Sequence, residues 1–147
     1  MDYEYDVEAF ESYLTRARKA KDPAERIESR QKAVDLIQGP YLGEVDTLWA
    51  VSERERLGQM YVSALEELAH LYLDANQLER CLSICQLAID QNRCNEAVYQ
   101  LEMRAYAALG DRASIIRSYG VCRTTLKEGL GLSPSPETDL LYRELTL

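Results

Sequence analysis

Residues 71–89 read LYLDANQLERCLSICQLAI, and residues 104–123 read RAYAALGDRASIIRSYGVCR. Laid over one another, the two segments repeat one pattern at an offset of 34 residues. Tyr72 falls on Tyr106, Asn76 on Gly110, Cys81 on Ile115, Cys85 on Tyr119 and Ala88 on Cys122. The pattern is an aromatic on one helix, a turn at Asn or Gly, and three inward positions on a second helix spaced four and three apart.

A helix–turn–helix unit repeating every 34 residues is the tetratricopeptide period. Each such hairpin has an apolar face too large to hide alone, so neighbours must stack and share a core. Outward from the repeat, apolar residues recur at helical spacing and alternating β-branched runs are missing. A first helix is expected from Asp6, a candidate N-cap, with Val7, Phe10, Leu14 and Ala17 on one stripe. Asp22-Pro23 opens the second, with Glu25 completing a capping box, and Gly39-Pro40 ends it. After the loop YLGEVD, a third helix runs from about Thr47–Ser52 to Ala75. Its inward residues are Trp49, Leu57, Tyr61, Leu65, Leu68 and Tyr72, and Gly58 weakens it by roughly 1 kcal/mol against Ala. Further helices are expected over about 77–91, 95–109, 112–129 and 136–146, the last opened by Ser135-Pro136.

The expected fold is all-α: about seven helices in stacked antiparallel tetratricopeptide-like hairpins, an α-solenoid with a C-terminal capping helix. Residues 1–147 form a single domain in this reading. Residues 1–40 make a degenerate first hairpin, 46–91 and 95–129 the two repeats, and 135–147 the cap.

The register assigns Cys81 and Cys85 to packing, since Ile115 and Tyr119 take their places in the second repeat. Free cysteine behaves as a small hydrophobe. A zinc site would need two more ligands, and Cys94 and His70 stand at no recognised spacing. No C-x-x-C suggests redox work. His70 is the single histidine, and no Gly-rich phosphate loop, H-E-x-x-H or G-x-S-x-G occurs. The acidic pairs Glu66–Glu67 and Glu53/Glu55 read as solvated helix charges. Neither an enzyme nor a cofactor or metal site is expected.

The net charge of −8 argues against direct nucleic-acid contact, because affinity there comes mainly from neutralising phosphates. The charge is uneven. Residues 44–80 carry eight acidic and three basic side chains, whereas 92–131 carry six basic and four acidic. No apolar run approaches the ~18 residues of a membrane span, and no signal peptide is seen, so a cytoplasmic location is expected. What stacked hairpins offer is surface. With the first helix of each hairpin on the concave side, Glu66, His70 and Leu73 would stand beside Gln100, Arg104 and Ala107. That groove either holds a peptide or partner helix, or is filled by the terminal helices.

Several segments together resemble the bacterial transcriptional activator domain. DTLWAVSERERL (46–57) carries its W-x4-R-x-R-L entry to the long helix. Residues 93–126 match its M-x-A-Y-x3-G-x-R and Y-x3-R-x2-L segments, and GLGLSPSPETDLLYREL (129–145) is similar to its E-L-G-x-x-P-S-P-E-T-x-x-L-Y tail. DVEAFESYLTRA and GPYLGE fit as well. In two places the chain departs: Asn92-Arg93 replaces the usual D-P, and Gly129 replaces the Glu of E-L-G, which is expected to loosen the end of the sixth helix.

The resemblance implies a non-catalytic interaction domain of a transcriptional regulator. Its partners would be RNA polymerase, its own DNA-binding domain or another copy of itself, including a possible homodimer. It adds Arg54 and Arg56 to the candidate partner-binding set, although an Arg at a helix start often pairs with a neighbouring acid. Trp49 reads as an anchor between the first hairpin and the repeats. A generic tetratricopeptide adaptor is the alternative, which SPSPET argues against. A small-molecule sensor using the space between hairpins is a third reading.

Overall fold

The structure, a computed structural model of the chain, describes residues 3–37 and 48–147, with side chains for 6–37 and 53–147. Those residues form seven α-helices and no strand: α1 (Tyr3–Lys19), α2 (Pro23–Ile37), α3 (Leu48–Asp74), α4 (Leu78–Gln91), α5 (Glu96–Ala108), α6 (Arg112–Leu130) and α7 (Pro136–Thr146). Helices adjacent in sequence pack as antiparallel pairs within each unit, α1 with α2 in one and α4 with α5, α5 with α6 and α6 with α7 in the other, the pairing of a helical solenoid. Gly39-Pro40, the YLGEVD loop and the Trp49 side chain lie outside the described residues. No described helix is long and apolar enough to cross a membrane. The chain divides into two compact units, residues 1–71 and 72–147.

In the first unit α1 packs along α2. The expected stripe of Val7, Phe10, Leu14 and Ala17 is buried, as are Val34, Ile37, Leu57, Tyr61, Leu65 and Leu68. Asp22 caps α2, its Oδ1 accepting from the Ala24 amide at 3.1 Å. Helix α1 starts at Tyr3 rather than at Asp6. Nothing in the preceding residues breaks a helix, and an acid inside the first turn suits the helix dipole as well as a cap would. Two ion pairs tie α3 to its neighbours. Arg30 reaches Glu67 at 2.8 Å, and Arg56 reaches Glu11 at 3.0 Å.

The second unit shows the repeat in its backbone. Asn76 and Gly110 both hold the left-handed conformation, with φ of 58° and 74°. The Asn76 amide donates to Leu73 O at 3.0 Å and Gln77 to Tyr72 O at 2.9 Å. Gly110 donates to Ala107 O at 3.0 Å and Asp111 to Tyr106 O at 2.9 Å, the same two bonds 34 residues on. This pair of bonds satisfies carbonyls that the helix end leaves open. Asp111 then caps α6 by accepting from the Ser114 amide at 3.1 Å. Helix α6 continues to Leu130 and stops at Gly131, whose φ of 66° is also left-handed.

Candidate functional site

The residues singled out from sequence fall in both units. Glu66 and His70 belong to the first, on α3, half-buried and exposed respectively; Leu73, Gln100 and Arg104 belong to the second. Arg104 points to solvent, whereas the Gln100 side-chain amide donates to Thr138 Oγ1 at 2.9 Å, which commits it to α7. In the first unit Arg56 binds Glu53 at 2.6 Å and Glu11 at 3.0 Å. These contacts hold the Glu53 carboxyl below its usual range and the guanidinium firmly protonated. Arg56 therefore carries the intrachain pairing that its place near the helix start suggests.

The SPSPET segment builds a joint. Ser135 caps α7, its Oγ accepting from the Thr138 amide at 3.3 Å, and Pro136 occupies the first turn, where its missing N–H costs nothing. Thr138 is fully buried and donates to Glu96 Oε2 at 2.6 Å, while the Ser135 amide donates to the same oxygen at 3.0 Å. Burial pushes the Glu96 carboxyl up, but these hydrogen bonds together outweigh it and hold it below the usual carboxylate range. Farther along α7, Tyr142 stacks on Tyr119 with centroids 4.0 Å apart and planes within 5°. Tyr119 donates to Asp139 at 2.6 Å, a commitment that, with burial, raises its hydroxyl to about 12. The motif's side chains are thus spent on seating α7 against α5 and α6.

A cleft of about 300 Å³ lies over α5, between α4 and α6. Its charged lining residues are Glu102, Arg93 and Arg117, with Tyr106, Ser118 and Gln86 among the others. Glu102 accepts from Ser118 Oγ at 2.7 Å and forms no ion pair among the described residues. Burial drives its carboxyl above the ordinary range, and the Ser118 bond offsets this only in part. Arg117 is anchored to the wall: its Nη2 donates to Ser114 Oγ at 2.7 Å, and Ser114 donates to Asp111 at 2.6 Å.

Glu102 is not among the residues singled out from sequence, although the repeat holds its signal. At the 34-residue offset Glu102 aligns with Leu68 and Ser118 with Ile84, both buried. The second repeat puts an acid and a hydroxyl where the first has two aliphatic core residues.

Cys81 and Cys85 have no exposed surface. The neighbouring Cys81 thiol, together with burial, drives the Cys85 thiol far above its usual range. Such a thiol is inert at neutral pH. Cys122 is likewise buried and pushed up to about 12. Among the described residues, no three of His, Cys, Asp and Glu gather as a metal would need.

The family model described as "Bacterial transcriptional activator domain" matches residues 5–146. A curated relative, "Regulatory protein AfsR" of Streptomyces coelicolor, is 27% identical over 134 residues, covering 91% of this chain. The chain spans about 14% of the length of that relative.

Proposed function

The chain belongs to the bacterial transcriptional activator domain family, and from that premise we propose that it is a protein-interaction domain of a bacterial transcription regulator. It acts by contact rather than by catalysis, in the cytoplasm, and binds RNA polymerase or a second copy of a regulatory domain. The observation that carries this reading is the family match across nearly every helix, taken with the fate of the motif side chains. Ser135, Thr138, Tyr119 and Tyr142 hold helices together, which leaves the outward charges to meet a partner. Arg104, Arg112, Arg123 and Lys127 are all exposed in the second unit. Exposed basic side chains on a chain of net charge −8 suit an acidic partner surface, where complementary charge sets encounter rate and specificity. Glu66 and His70 are the corresponding candidates on α3.

The test is capture of bacterial RNA polymerase holoenzyme by the purified chain, alongside Arg104→Glu, with light scattering on the same samples. Capture that weakens in the variant supports recruitment through the second unit. Clean dimers without polymerase binding support self-association instead. A monomer that captures neither removes both forms of the proposal.

A further inference from the structure

The cleft over α5 holds a charge pattern that the interaction role does not use. The Glu102–Ser118 pair stands where the preceding repeat has Leu68 and Ile84. A stack of hairpins needs only apolar residues there, and a carboxylate drawn out of water without a cation is a cost to the fold. The carboxylate is not sealed in: it lines an open cleft of about 300 Å³, at the small end of ligand sites. Arg93 and Arg117 line the same cleft, so the pocket joins one anionic group to two cationic ones.

That pattern selects among ligands. A simple cation would satisfy Glu102 but meet two guanidinium groups. A simple anion would satisfy the arginines but face the carboxylate. We propose that this cleft binds a small zwitterion of the amino-acid class, its ammonium group meeting Glu102 and its carboxylate meeting the guanidinium of Arg117. The Ser114–Asp111 contact fixes the arginine in place before the ligand arrives, which lowers the ordering cost of binding. The Tyr106 side chain lines the cleft beside the acid. A ligand bound there bridges α5 and α6 and fills the space beside α4, so it would stiffen the junction between hairpins. The inference stands independently of which protein the domain contacts.

The test uses the purified 147-residue chain, thermal melting and titration calorimetry. Each common free amino acid is the probe, followed by the methyl ester and the N-acetyl derivative of the best binder. The expected result is saturable binding of at least one amino acid. Both blocked derivatives, which keep only one charge each, should bind about tenfold more weakly or worse, as should Glu102→Gln and Arg117→Gln. If Glu102→Gln disturbs folding, Arg117→Gln decides, because that side chain is exposed. Three results overturn the proposal: no amino acid binding up to its solubility, blocked derivatives that bind as well as the parent, or binding untouched by Arg117→Gln.

Discussion

The sulfur of Cys94 sits 2.8 Å from where a Cβ would stand on Gly129. It is held there by a 3.5 Å hydrogen bond to the Thr125 carbonyl oxygen. The two residues belong together: the missing side chain on α6 is the space that the thiol occupies. Gly129, at the place where the family pattern has Glu, lowers the helix propensity at the end of α6. The helix nevertheless continues to Leu130, because packing against Cys94 accompanies the lost propensity.

The pair makes a prediction of sign. In a free helix Gly→Ala gains about 1 kcal/mol, but a methyl forced against a held sulfur costs about 1–3 kcal/mol. Gly129→Ala alone should therefore leave stability unchanged or lower it by up to about 2 kcal/mol. In a Cys94→Ala background the same change should raise stability by about 1 kcal/mol. Urea unfolding of the four proteins of the cycle checks this. Equal effects of Gly129→Ala in both backgrounds would show that the contact has no weight.

Thr138→Val keeps the shape of the side chain and removes the donor to Glu96. Hydrogen bonds to a charged group are worth about 1.5–3 kcal/mol, and a loss of that size is expected, concentrated in α7. Hydrogen exchange should show α7 amides opening before those of α4 or α6. Acid should act in the same direction. The Glu96 carboxyl is held below its free value of 4.5. Its contribution is present above that pH and is lost as pH falls through the lower folded value. A variant whose α7 exchanges no faster than the parent's would remove Glu96 from its anchoring role.

Helix positions were legible because apolar spacing, Pro and Gly set them locally: α2 opens at Pro23 and α7 at Pro136, as the caps Asp22 and Ser135 require. The joint at Glu96 was not legible. Its partners lie 39 and 42 residues away, and no periodicity links an acid on α5 to a threonine beyond α6. The groove residues Glu66, His70, Leu73, Gln100 and Arg104 rest on register alone, which assigns a helix face but not what covers it. Gln100 shows the difference, since its amide bonds Thr138. Glu102 was legible in principle, as the acid in a core column, and needed the repeat alignment to be read position by position.

Glu102 predicts the opposite pH response from Glu96. Burial raises its carboxyl above the free value of 4.5. The stability it lends through its protonated form is fully present below that pH and lost as pH rises through the folded value. In its charged form the side chain is a liability. Glu102→Gln keeps an acceptor for Ser118 and should stabilise the chain by about 1 kcal/mol at pH 7. The gain should vanish below pH 4.5. Thermal melts of parent and variant across that range test the sign, and a variant less stable at neutral pH would refute the assignment.

The two hairpin turns should respond differently to one chemistry. Gly110 holds φ of 74° with open space around it, so Gly110→Ala meets no neighbour but strains the backbone, by about 1–2 kcal/mol. Asn76 already tolerates the same conformation, and Asn76→Gly should change stability by less than about 0.5 kcal/mol. Chemical unfolding of both variants gives the comparison. A Gly110→Ala loss no larger than the Asn76→Gly effect would mean that the left-handed turn is not enforced by the hairpin.

Cys85→Ala removes a buried sulfur from a packed column and should cost about 1–2 kcal/mol, the lower range for shortening a core side chain. Cys81→Ala should behave alike. Because the two side chains are buried four apart on one face of α4, the double variant should cost less than the sum of the singles. Zinc content measured on the purified proteins should be the same in parent and variants. Stoichiometric zinc in the parent, lost with either cysteine, would replace packing by coordination as the reason these residues stand four apart.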